Sequence, residues 1–187
     1  MVWTLAMNLD QIVALFHREA RLPLSADELP NEQHWNAVES DGQFGVCFPS
    51  DYKQLLTRIG TVELGGRFCL FNPAAKEVRY ALSYQNITNL FRQHLLKLYS
   101  FGVLVFPARG GMIPIATEHR SIRLAFVPDA RGVLEIVLVD LKNGEVERHG
   151  HNFLCFMAEL LEGPRQKALA ARLAHVCKFG KTGRVSE

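Results

Sequence analysis

FPSDYKQLLTRIGTVELGGRFCLF, residues 48–71, holds the start and stop signals of a helix followed at once by a strand. Pro49 has the fixed φ of a first helical turn, where its missing N–H costs nothing, and Ser50 offers a hydroxyl to the unpaired donors beside it. Tyr52, Leu55, Leu56 and Ile59 fall at i, i+3, i+4 and i+7, which predicts one apolar helix face with Lys53, Gln54 and Arg58 turned to water. Gly60 can take a left-handed cap. After Gly65-Gly66, the run Phe68-Cys69-Leu70-Phe71 reads as a largely buried strand stopped by Asn72-Pro73. The implied unit is a helix laid on the first strand of a sheet.

Upstream, Asn8 suits the N-cap of a helix whose stripe is Leu9, Ile12, Val13, Phe16 and Ala20, ending before Pro23. From Leu24 to Val46 the chain reads as a connection with a capping-box pattern at Ser25 and Glu28 and one short helix around Trp35. A large aromatic in such a connection pins it to the core. Downstream, Val78 to Leu82 reads as a short strand, and Tyr84, Ile87, Leu90, Phe91, Leu95 and Leu98 as a second periodic helix. From Val103 the period becomes strand-like: Val103–Phe106, Met112–Ala116, Ile122–Val127 and Leu134–Leu141, with Gly110-Gly111 suited to a hairpin turn. Asn143-Gly144 predicts a two-residue hairpin that returns Glu145–Arg148 antiparallel to Ile136–Leu141. Asn152 then caps a helix bearing Phe153, Phe156, Met157, Leu160 and Leu161, and a further helix covers about Arg165 to Lys178. Strands bracketed by helices without regular βαβ alternation indicate α+β: a mainly antiparallel twisted sheet of about five or six strands with N-terminal, middle and C-terminal helices.

With 187 residues, 48% of them hydrophobic, the sequence reads as one domain with a sizeable core. The net charge of +2 argues for neither a nucleic-acid nor a membrane partner. Its distribution is uneven. Residues 163–187 carry six Lys and Arg against Glu187, or +5, so residues 1–162 carry 15 minus 18, or −3. Cys47, Cys69, Cys155 and Cys177 are far apart among apolar neighbours, the pattern of buried thiols in a reducing compartment, and there is no CxxC. The N-terminal stretch lacks the features of a signal peptide and no 18-residue apolar run exists, so the expectation is a cytoplasmic chain with no membrane segment.

Catalytic patterns are weak. His149-x-His151, with Glu145 and Glu147 upstream, could face one ion from a strand, yet two ligands do not close a site. There is no GxSxG elbow, and Cys155 reads as a core thiol. Gly65-Gly66 and Gly110-Gly111 match no phosphate-loop spacing. Glu118, His119, Arg120, Arg123 and Arg131 form a mixed-charge group around a strand connection, where recognition residues collect. No cofactor is expected.

The order of features resembles the SUKH superfamily, which includes the fungal Smi/Knr regulators and many bacterial immunity proteins. The residues that carry the likeness are Phe48-Pro49-Ser50-Asp51-Tyr52-Lys53-Gln54-Leu55-Leu56, then Phe68 to Pro73, Val105 to Pro107, Ile113 to Ala116, and the Phe-x-x-Phe-x-x-x-Leu-Leu helix from Phe153. The likeness covers about residues 46–163 of a single domain. Residues 1–45 form an N-terminal helix and connection, and 164–187 a basic helix and tail. The chain departs from the family pattern at Glu118-His119-Arg120-Ser121, where an acidic Gly-containing turn is usual, and at the end of the first helix, where Ile59-Gly60 replaces Asn-Gly-Gly. The resemblance implies binding rather than catalysis: neutralisation of a polymorphic protein toxin, often a nuclease or deaminase. Partner contacts are expected at Glu118, His119, Arg120, Arg123, Arg131, Glu145 and Glu147. The alternatives are an adaptor of the same type with no toxin, and a small metal-dependent hydrolase built on the two histidines.

Overall fold

Asn8 opens the first helix, α1 (Leu9–Glu19), through a reciprocal cap: its side-chain oxygen accepts the Gln11 N–H at 2.9 Å, and Gln11 Oε1 accepts the Asn8 N–H at 2.9 Å. The computed structural model describes residues 7–21, 29–40, 47–64, 68–72, 104, 110–118, 122–140 and 144–162. The expected strand at 78–82, the middle helix at 84–98, the capping box at Ser25 and the basic C-terminal helix lie outside them. Ile12, Val13 and Phe16 are buried as the stripe predicts. Ala20 is not part of the helix: the chain turns extended there and forms a two-residue strand, β1 (Ala20–Arg21).

The short helix around Trp35 is α2 (Glu32–Ser40). Asn31 and His34 cap it reciprocally, each side chain accepting the other's backbone N–H at 3.1 Å. Trp35 is 4% exposed and pins α2 to the core, its Nε1 donating to Thr57 Oγ1 at 3.3 Å. In α3 (Ser50–Ile59), Tyr52, Leu55, Leu56 and Ile59 are all buried. Its start differs from expectation. Pro49 is the N-cap itself, at φ −54° and ψ 138°, and offers no side-chain cap of its own, so Ser50 does not hold that position. Gly60 has φ 64° with ψ −148°, outside the left-handed helical region and open essentially only to glycine.

Seven strands among the described residues form one antiparallel sheet, more than the five or six expected. Each lies beside its sequence neighbour: β1, β2 (Val62–Leu64), β3 (Phe68–Leu70), β4 (Ile113–Glu118), β5 (Ile122–Pro128), β6 (Leu134–Asp140) and β7 (Val146–Arg148). The additional strands are β1 and β2, each too short to show a period. β4 bulges between Pro114 and Ala116, which frees the Ile115 carbonyl to accept the Phe71 N–H at 2.8 Å. Met112 N–H donates to Leu104 O at 2.9 Å and Gly110 has a φ of 74°; apart from Leu104, the expected strand at 103–106 lies outside the described residues. β7 returns along β6 as predicted. The turn is longer than two residues, because Asp140 N–H donates to Glu145 O and Gly144 N–H to Asp140 O, enclosing residues 141–144.

α4 (Phe153–Glu162) completes the core, with Phe153, Phe156, Met157 and Leu160 buried. One apolar cluster runs from Ile12 to Leu160 and joins α1, α2, α3 and α4 to Leu124 and Phe126 of β5 and Leu134 and Ile136 of β6. At its centre Tyr52 meets Phe126 and Phe153 edge-on, with centroids 5.1 and 4.9 Å away. The architecture is α+β. Two thiols depart from expectation: Cys47 is exposed and Cys155 is half-buried.

Candidate functional site

The antiparallel register fixes which expected contact residues can meet. Glu118 ends β4 opposite Ile122, the first residue of β5, and Ile122 lies opposite Asp140, the last residue of β6. Arg123 is paired with Thr117 and Val139. Glu145 follows the β6–β7 turn and Glu147 lies opposite Leu138. Glu118, Arg123, Glu145 and Glu147 are therefore brought to one end of the sheet. His119 and Arg120 lie outside the described residues. Arg131 is a correction. It sits in the loop between β5 and β6, roughly 20 Å away at the other end, because β5 runs its seven residues between them.

At the first end, Leu138, Asp140, Glu145, Val146 and Glu147 line a cavity of about 300 Å³. Leu138 and Asp140 alternate with Val139, and Glu145 and Glu147 lie beside them in the ladder, so all four project from the same face of the sheet. Glu145, just before β7, and Glu147, within it, are exposed, and β7 is the last strand in the order among the described residues. A larger cavity of about 740 Å³ lies among α1, α2 and α3, lined by Leu9, Trp35, Lys53, Thr57 and Arg58 among others. Its cations are taken up within the chain: Lys53 pairs with Glu39 at 3.0 Å and Arg58 with Asp10. Asp140, Glu145 and Glu147 give the smaller cavity its acidic character.

The opposite end is built around Asp129, which the sequence reading missed. Its Oδ1 accepts the N–H groups of Arg131 and Val133 at 2.8 and 2.9 Å, and its Oδ2 accepts Arg131 Nη2 at 3.1 Å. Asp followed three residues later by Gly, here Gly132 at φ 79°, is the available signal for such a loop. Desolvation alone would raise the Asp129 pKa. The hydrogen bonds from Val133 and Arg131, with the Arg131 charge, outweigh it and hold the carboxyl below the usual aspartate value. A depressed folded pKa gives stability that is fully present above the unfolded value, about 3.9, and is lost as pH falls through the folded one. Asp129→Ala is therefore expected to be less stable than the parent at neutral pH and to converge with it in stronger acid. Denaturant midpoints across that range check this, and a gap independent of pH contradicts it.

His149 and His151 turn to different partners. The His149 side chain is 3% exposed, its ring lies 5.0 Å from that of Phe156, and its Nε2 is 3.7 Å from Glu147 Oε1. His151 Nδ1 is 3.0 Å from Leu134 O; a carbonyl only accepts, so Nδ1 carries the proton and donates. His151 Nε2 faces Asp129 Oδ2 at 3.9 Å. Among the described residues, no group of three or more His, Cys, Asp or Glu side chains could hold a metal ion, and no helix is long and apolar enough to cross a membrane. Compared with protein-family models, curated proteins and solved structures, the chain matches none.

Proposed function

We propose that this chain is an immunity protein of the SUKH type, which binds a cognate polymorphic toxin in the cytoplasm and neutralises it by protein–protein contact. The observation that carries the reading is the acidic end of the sheet, where Asp140, Glu145 and Glu147 surround a cavity beside exposed strand β7. A nuclease or nucleic-acid deaminase must present positive charge to phosphates. An acidic surface competes for that charge and accelerates encounter with the toxin. An inhibitor of this kind needs roughly 800 Å² of interface per partner and no reactive group of its own.

The test is co-production with the toxin domain encoded by the adjacent reading frame. Restored growth and a stoichiometric complex on size exclusion are expected. Continued toxicity with no complex overturns the proposal.

A further inference from the structure

We infer that the outer edge of β7 receives an extended, basic strand from the protein partner by backbone pairing, a mode that rests on the binding role proposed above. Asp140 N–H donates to Glu145 O and His149 N–H to Ile136 O, both at 2.9 Å. In an antiparallel ladder the inward and outward backbone groups alternate. Glu145, Glu147 and His149 thus face β6, while Val146 and Arg148 turn their N–H and C=O groups away from the sheet. Val146, Glu147 and Arg148 are all exposed, so among the described residues these groups form an edge ready to pair with another strand.

Charge selects the occupant. A second copy could join antiparallel through Val146 and Arg148 in three registers. With Val146 opposite Arg148 of the copy, Glu147 meets Glu147. A shift one way sets Glu145 opposite Glu147, and a shift the other way sets Arg148 opposite Arg148. Like charges directly opposite destabilise a strand pair, so every such register opposes self-association. A strand with Lys or Arg at alternate positions instead meets Glu145 and Glu147 together, one basic side chain lying beside Asp140 over the 300 Å³ cavity.

Three synthetic peptides test this with the full chain at low salt: Lys-Val-Lys-Val-Lys-Val, the same peptide N-methylated at its valines, and its Glu-for-Lys counterpart. Fluorescence anisotropy should show binding of the first only. The valine N–H groups face the β7 edge, so methylation should weaken binding at least tenfold, as should the Glu145→Lys/Glu147→Lys variant with its melting temperature unchanged. Amide exchange by NMR should slow at least tenfold at Val146 and Arg148 when the peptide is bound. No binding, or binding that ignores N-methylation and leaves those amides fast, overturns the inference. So does a dimer whose Val146 and Arg148 amides are already protected, since a second copy then holds the edge. If the charge-reversed variant still rescues growth from the toxin, the edge is not the docking site and the inhibitory role stands; if the parent chain fails to rescue, that role falls whatever the peptides do.

Discussion

Tyr52→Ala is expected to cost about 3–5 kcal/mol of stability, the usual range for truncating a large buried aromatic. For a chain of this size that corresponds to a fall in melting temperature on the order of 10 °C. The ring is fully buried and touches four aromatic neighbours: Trp35, Phe48, Phe126 and Phe153, with centroids 4.9–6.0 Å away. Its hydroxyl donates to Phe71 O at 2.7 Å, which ties α3 to the chain just after β3. Tyr52→Phe keeps the packing and loses only that bond, about 1 kcal/mol. The order of the two variants is the informative outcome. Near-equal losses would make the hydroxyl the main anchor, and an unchanged melting temperature in Tyr52→Ala with lost binding would move this face of α3 from the core to the interface.

The placement of Tyr52 was legible in the sequence because a helix repeats its buried face every three to four residues, and Tyr52, Leu55, Leu56 and Ile59 follow that period without interruption. The β6–β7 pairing was legible for the same kind of reason, a two-residue period interrupted by Asn143-Gly144. What escaped was set by contacts remote in sequence or by elements too short to repeat. Ala20 satisfies the α1 stripe, yet it joins Leu64 across the sheet as part of β1. Ser50 is a good capping residue by type, but Pro49 takes the position before it.

The candidate site divides along the same line. Glu145 and Glu147 share a face because strand periodicity says so, whereas the approach of Asp140 depends on the turn and that of Glu118 and Arg123 on the register of three strands. Sequence proximity misled at Arg131. It stands only eight residues from Arg123, but a strand carries its two ends apart, while a helix would have kept them near.

Asp51→Ala is expected to cost about 2–3 kcal/mol, although the residue is only half-buried and reads in the sequence as an ordinary acidic first-turn residue. One carboxylate serves the starts of two helices. Its Oδ1 accepts the Tyr52 N–H in α3 at 2.9 Å, and its Oδ2 accepts the N–H groups of Phe153 and Leu154 in α4 at 2.7 and 3.3 Å. Asn152 Oδ1 accepts the next donor, Cys155 N–H, at 2.9 Å, so the first three amides of α4 are satisfied by two side chains from separate parts of the chain. The loss should exceed that of an ordinary exposed cap because the acceptor is charged and joins elements 102 residues apart. Asp51→Asn retains one acceptor without the charge and should recover about half of the stability. Denaturant unfolding of the two variants checks both values. If Asp51→Ala costs no more than an exposed substitution, within about 0.5 kcal/mol, the helices are held together by the aromatic cluster alone.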